Sequence, residues 1–268
     1  MASFYGFDYE QLPTQKPKYK QLYQDLFQQA AVIVCEGKHG ASILENMGCP
    51  KEKLVVIHLG VEPAKVPVLK RVKKQQQLRL LQAATFTEKK GYIYTLRAFL
   101  EALKICPNME LTLVGEPHIK EIVDEVKAFI TTNNLTEKVT ILDFVEYDQF
   151  YPFLQSFDVF IHPSCYAKSR DCEGGAPIVL LDVQATGMPV ISTTHCDIPG
   201  EVLHENTGLL SPEKEVKVIA KHIQRFYEMD DFAYQNFARN ARQHVENQFD
   251  VQKSGQQLAD LYHTVLNS

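Results

Sequence analysis

The sequence predicts an α/β protein: a parallel sheet with helices on both faces, preceded by a shorter unit of the same kind. Three observations predict it. From Leu78 onward, short apolar runs alternate with longer stretches whose apolar residues recur at helical spacing. In the middle of that alternation, a loop with two adjacent glycines, Gly174 and Gly175, opens an apolar helix. A shorter version of the alternation fills residues 19–58, ahead of a connection containing proline and lysine. Such alternation implies right-handed βαβ units, and strands that are apolar throughout imply a sheet buried on both faces. The chain divides into a short N-terminal unit (1–62), a linker (63–77) and a C-terminal domain with terminal helices (78–268).

Taken in order, residues 1–18 are polar and aromatic, with Pro13 and Pro17. Residues 19–29 are helix-compatible, with Leu22, Tyr23, Leu26 and Phe27 as the apolar set. Residues 30–35 read as a buried strand, 40–47 as a short helix ended by Gly48-Cys49-Pro50, and 53–58 as another strand closed by Gly60. The connection 63–77 carries Lys65, Lys70, Arg71, Lys73 and Lys74. It reads as a solvated linker; the alternative is contact with an anionic membrane surface.

Strands follow at 78–84, 109–114, 139–142, 159–161 and 189–193, with a last short one at 208–210. Helices fall at 91–105, 118–131, 147–156 and 178–186. The tail, 214–268, is helical and amphipathic, with Val218, Ile219, Ile223, Phe226, Leu258, Leu261 and Val265 on its apolar faces.

Composition bounds the function. The chain of 268 residues can bury a sizeable core. A net charge of −5 gives no general reason to expect nucleic-acid binding. The six cysteines are scattered without a CxxC pair, so neither a zinc site nor a disulfide framework is expected, and a reducing cytoplasm is. No apolar run approaches the roughly 18 residues of a membrane span, and the start lacks the pattern of a signal peptide.

The glycine loop is where chemistry is expected. It runs Asp171-Cys172-Glu173-Gly174-Gly175-Ala176-Pro177, with Pro177 suited to a first helical position. Such a loop can turn backbone N–H groups and a helix dipole toward a phosphate, or be a plain turn. Glu173 stands at its mouth, and Asp182 lies about two turns into the apolar helix, where a carboxylate is costly unless paired or bound to a ligand hydroxyl.

The run from Glu173 to Asp182, with Ala185-Thr186-Gly187-Met188-Pro189-Val190-Ile191-Ser192, resembles the donor signature of the retaining glycosyltransferases of family 4. Their usual spacing is Glu-x7-Glu; here it is Glu-x8-Asp, the extra residue falling in the loop. The resemblance implies the GT-B fold of two Rossmann-like domains, of which most of the first is absent. It implies that Glu173 contacts the donor sugar and Asp182 the nucleotide ribose, with Gly174, Gly175, Ala176 and Pro177 lining the donor.

Thr85-Phe86-Thr87-Glu88-Lys89-Lys90-Gly91 resembles the family's GRLxxxKG segment, whose Arg and Lys bind the donor diphosphate. Lys90 matches the Lys and Thr85 takes the Arg position. Ser3-Phe4-Tyr5-Gly6-Phe7-Asp8 resembles the FHGxD loop, which makes Tyr5, Gly6 and Asp8 acceptor-side candidates, with Tyr5 in place of the family's His. The segment 57–62 resembles the one that closes the first domain, and Thr193 to Glu201 a loop that Glu201 orders beside the donor.

Val114-Gly115-Glu116-Pro117 is a plain turn or a ligand contact; Arg170 neutralises phosphate or is solvated. His162, after a strand, reads as structural.

The resemblance thus implies transfer of a hexosyl group, with retention, from a nucleoside-diphosphate sugar to a carbohydrate or lipid-linked acceptor. Glu173 and Lys90 are the catalytic candidates, no cofactor is implied, and no Asp-x-Asp or spaced His cluster asks for a metal. The family-level setting is polysaccharide synthesis in the cytoplasm, with the inner membrane surface as the alternative. Two rivals stand: a non-catalytic nucleotide-sugar-binding module, and another GT-B chemistry such as an epimerase or phosphorylase. A dehydrogenase fails because no GxGxxG follows a predicted strand.

Overall fold

The computed structural model describes residues 1–267; Ser268, where the predicted helical tail ends, lies outside the described residues. The N-terminal part holds β1 (Ala2–Phe4), α1 (Gln11–Gln15), α2 (Lys18–Gln29), β2 (Ile33–Cys35), α3 (Lys38–Asn46) and β3 (Leu54–Val56). Its strands form a parallel sheet in the order β1-β2-β3, with Ala2 opposite Ile33 and Ile33 opposite Leu54. The sequence reading left residues 1–18 without a strand or helix, because a three-residue strand shows no periodicity. What fixes β1 is tertiary: Phe4 is buried against Tyr23 and Phe27, with ring centroids 5.1 and 6.1 Å away.

The larger unit begins with β4 (Leu78–Ala83), α4 (Tyr92–Leu103), β5 (Met109–Val114), α5 (Lys120–Thr132), β6 (Val139–Leu142) and α6 (Tyr147–Leu154). It continues with β7 (Val159–His162), α7 (Val179–Ala185), β8 (Val190–Thr193), α8 (Ile198–Glu201) and β9 (Gly208–Ser211). Its six strands are parallel in the order β6-β5-β4-β7-β8-β9. The chain therefore steps outward from β4 to β6, returns to β7 beside β4, and steps outward again. Successive side chains serve opposite faces. Leu80 joins the core under α4, whereas Leu81 joins the core under α6 and α7.

Two expectations are corrected here. The predicted helix 178–186 is assigned only from Val179 to Ala185, which puts Asp182 in its first turn rather than two turns in. Pro177 precedes the helix instead of opening it, and its carbonyl accepts from Leu180 N at 2.9 Å.

The linker is not a solvated charge run throughout: Arg71 and Lys73 are buried. The Arg71 guanidinium donates to Leu154 O, Phe157 O, Thr186 O and Thr186 Oγ1, at 2.9 to 3.3 Å. These acceptors lie at or just beyond the ends of α6 and α7, where helices leave carbonyls unpaired. Lys73 Nζ donates to Gln77 O at 2.6 Å. Lys65, Lys70 and Lys74 stay exposed.

The tail forms α9 (Val216–Glu228), α10 (Asp231–Gln248) and α11 (Val251–Leu266). Ile219, Ile223 and Phe226 of α9 complete the core under α4. The chain at the start of α11 meets the end of the N-terminal part, through Val61 N to Phe249 O (3.0 Å) and Val251 N to Val61 O (2.9 Å). Beyond that point α11 holds no fully buried residue. No helix of the described residues is long and apolar enough to cross a membrane.

Candidate active site

Ligands of open parallel sheets bind beyond the carboxyl ends of the strands, where the strand order reverses. Here that point lies between β4 and β7. The loop after β4 brings Lys90 to it, and the loop after β7 brings Ser164 and Glu173. Lys90 is set by a tight turn closed at Gly91, whose φ is +71°. Only a glycine fits, because a Cβ there would stand 2.1 Å from Pro163 O.

Lys90 Nζ meets Glu173 Oε2 at 2.7 Å, with the two side chains 15% and 5% exposed. Ser164 Oγ donates to Glu173 Oε1 at 2.7 Å. His162 Nε2 stands 3.5 Å from the same oxygen. Burial pushes the Glu173 carboxyl up, but the Lys90 ammonium and His162 outweigh it and hold the group well below the usual carboxylate range. Burial pushes His162 the other way, toward the neutral form. The site is thus an ionised carboxylate clamped by a cation and a hydroxyl. His162, which the sequence presented as structural, lies beside the oxygen that Ser164 holds. The adjacency was not readable, because ten residues separate His162 from Glu173 and only the fold returns one to the other.

The loop around Glu173 is pinned from three sides. Lys89 Nζ donates to Cys172 O at 2.8 Å and meets Asp171 Oδ1 at 3.2 Å, so Lys89 holds the loop. Glu173 N donates to His195 Nε2 at 3.2 Å. Because a backbone N–H can only donate, Nε2 is the acceptor, the ring proton sits on Nδ1, and Nδ1 donates to Glu213 Oε1 at 2.6 Å. The third side is the N-terminal part. Gly6 packs backbone to backbone on Gly174, and a Cβ on Gly6 would stand 2.7 Å from Gly174 Cα. Gly175 packs on the Glu36 carboxyl.

The other expected residues are placed as follows. Asp182 is buried and accepts from Tyr151 Oη at 2.7 Å. Burial raises its pKa, and the Tyr151 bond opposes the rise. Thr85 is exposed just past β4. Arg170 lies over the Tyr166 ring, 4.3 Å from its centroid, and Tyr166 Oη donates to Glu10 at 2.8 Å. Arg170 therefore braces the loop against the N-terminal part. Tyr5 is half exposed, and its N–H donates to Asp8 Oδ2 at 3.0 Å. Ala176 and Pro177 follow the glycines, Ala176 facing a cavity of about 650 Å³ between the two parts.

Glu36, His39, His58, Asp197, Glu201 and His244 also line that cavity, whereas Lys90 and Glu173 do not. Its carboxyls were not anticipated as a group. Burial, then Asp197, raises Glu36 to about 7. Glu201 is raised well above its ordinary value by burial and by Glu36, Asp197, Glu173 and Asp182 around it. The Glu201 backbone carbonyl accepts from Gln184 Nε2 at 3.0 Å. The loops after β7 and β8 also bring the side chains of Cys172, His195 and Cys196 together.

Comparison with known proteins identifies the family and the fold. Residues 69–244 match the family described as glycosyl transferases group 1. The amylovoran biosynthesis glycosyltransferase AmsK of Erwinia amylovora is 30% identical over 249 residues, covering 91% of this chain and 59% of the relative. The chain thus spans about 59% of that relative's length. The structure of Anabaena Alr3699/HepE in complex with UDP superimposes with a TM-score of 0.81 at 19% identity, over 96% of this chain and 71% of the other. The C-terminal domain of the group 1 glycosyl transferase LpcC from Francisella tularensis is covered completely (100%) by 72% of this chain, with a TM-score of 0.60 at 17% identity. Its fold is accordingly that of GT-B proteins, and the chain belongs to the group 1 glycosyl transferases, family 4.

Proposed function

We propose that this chain carries the donor half of a retaining glycosyltransferase, which takes a hexose from a nucleoside-diphosphate sugar and passes it to a carbohydrate or lipid-linked hydroxyl in polysaccharide synthesis. The observation that carries the reading is the buried contact of Lys90 with Glu173 at the reversal point of the sheet. A buried ion pair of this kind is costly as a stabilising device but well suited to be opened by a ligand of the same charge pattern. In this reading the donor diphosphate takes over the Lys90 ammonium, and Glu173 turns to the sugar hydroxyls.

As the bond from the sugar to the diphosphate breaks, negative charge grows on the leaving oxygen, and Lys90 stabilises it where it develops. Glu173, held by Ser164 and beside His162, orients the sugar. Asp182 takes the ribose after exchanging its bond from Tyr151. Arg170, stacked on Tyr166, acts on loop position rather than on phosphate. The Gly6–Gly174 contact supports the placement of Tyr5 and Asp8 on the acceptor side. UDP is the first nucleotide to test, since it is the one bound in the HepE structure. Contact with an anionic membrane falls to Lys65, Lys70 and Lys74, because Arg71 and Lys73 are buried.

The test is incubation with a panel of UDP-sugars, with and without simple sugar acceptors, followed by proton NMR of the released or transferred sugar. The expected outcome is slow donor cleavage that yields the α-anomer from an α-linked donor and is lost in Lys90→Ala. Inversion of the anomer overturns the mechanism. Binding without cleavage under all conditions favours the non-catalytic module.

A further inference from the structure

We infer that Cys172, His195 and Cys196 form a site for a zinc-like divalent cation at the root of the glycine loop. The ligand atoms of these three side chains lie within 4.8 Å of one another, and Cys196 Sγ is 3.2 Å from His195 Nε2. A tetrahedral zinc holds thiolate and imidazole ligands at about 2.3 and 2.0–2.1 Å, which sets neighbouring ligand atoms about 3.5 Å apart. The cluster needs only a small closure to reach that geometry. Two sulfurs and one imidazole suit a borderline-soft ion and disfavour magnesium or calcium.

Three further features bear on the same point. His195 is already in the required tautomer: Nδ1–H donates to Glu213, and Nε2 carries the lone pair, which accepts from Glu173 N and lies 3.2 Å from Cys196 Sγ. A carboxylate behind a ligating histidine is the usual outer partner of a metal site. Cys196 is held at φ +47°, in the left-handed region that a non-glycine residue occupies at a cost. The strained turn aims its sulfur back toward Cys172. An entry path exists as well, since Cys196 lines the cavity of about 650 Å³.

The fourth position faces the N-terminal part. The ligand atoms of Glu10 and His39 lie within 4.8 Å of each other and of Cys196 Sγ, and Glu10 Oε1 meets His39 Nε2 at 2.8 Å. A bound ion would therefore join the loop after β7, the loop after β8 and the N-terminal segment next to Glu173. Binding converts two thiols to thiolates and releases two protons to solvent. It also takes the lone pair that now accepts the Glu173 N–H, so metal and loop conformation are coupled.

The experiment is a titration of the reduced, chelator-stripped chain with Co²⁺, followed by Zn²⁺. Expected are a sulfur-to-cobalt charge-transfer band that saturates at one equivalent, its loss on adding Zn²⁺, and release of about two protons per ion. Cys196→Ser and Cys172→Ser each abolish the band. Glu213→Gln keeps it and weakens affinity about 10- to 100-fold. Cys106→Ser, at a buried thiol in the core under α4, leaves it unchanged. In the wild type, bound Zn²⁺ protects Cys172 and Cys196 from alkylation, a readout that does not depend on any variant folding. No band at stoichiometric Co²⁺, or a band indifferent to Cys196→Ser, overturns the site. Neither result depends on whether the chain binds a nucleotide sugar.

Discussion

Glu173 is the residue on which most of the site converges, and its protonation state follows from its neighbours. Removing Lys90 leaves a buried carboxylate without its counter-charge, which costs on the order of 3–5 kcal/mol. Lys90→Ala is therefore expected to lower stability by about that amount, and adding Glu173→Gln to recover part of it, because the two sites share one interaction. Urea unfolding of the two single variants and the pair checks the coupling; additive effects contradict it.

Glu36 behaves in the opposite sense. Its ordinary value is 4.5, and burial with Asp197 nearby raises it to about 7. Between those values the folded state holds a proton that the unfolded chain has released. Stability from this group is present at low pH and falls as pH rises through that window. Glu36→Gln should be more stable than wild type at pH 8 by on the order of 1–3 kcal/mol, and close to it near pH 4.5. Unfolding curves at the two pH values decide it. Glu173 adds the usual acid limit, since its lowered pKa contributes stability above the ordinary value of 4.5 that is lost as pH falls.

At the scale of elements, the linker shows what charge runs conceal. Lys65 and Lys70 are exposed as expected, yet Arg71, next in sequence, caps the open ends of α6 and α7. Nothing local distinguishes Arg71 from its neighbours; the carbonyls it serves are 83 and 115 positions away. Arg71→Ala should strand those carbonyls and cost about 2–4 kcal/mol, read as a lowered midpoint in thermal unfolding, with Arg71→Lys recovering little.

The strands and helices of the larger unit were legible because short apolar runs alternate with longer stretches at helical spacing. The strand Ala2–Phe4 was not, since its identity depends on Tyr23 and Phe27 beneath Phe4. The same contrast holds for the site. Lys90, Glu173 and the glycines announce themselves by motif, whereas the Ser164–Glu173 and His195–Glu213 contacts and the Cys172–Cys196 approach exist only through the parallel order of β7, β8 and β9.

At the scale of the molecule, the two parts meet at the glycine loop rather than through the linker alone. Gly6 touches Gly174, Glu36 touches Gly175, and His39 N donates to Asp197 Oδ1 at 2.7 Å. Gly6→Ala puts a Cβ against Gly174 in a left-handed turn (φ +69°) and should loosen this seam, raising the donor dissociation constant while leaving the core intact. The chain covers 59% of its relative AmsK, and the half of the reaction that this account assigns to it is donor recognition. The most direct test is a calorimetric titration of the wild type, Lys90→Ala and Glu173→Gln with UDP and UDP-sugars, each variant first verified as folded. Saturable binding of UDP that Lys90→Ala abolishes is expected, with Glu173→Gln weakening the UDP-sugar more than UDP itself. Wild-type affinity in Lys90→Ala, or no nucleotide binding by the folded wild type, would contradict it.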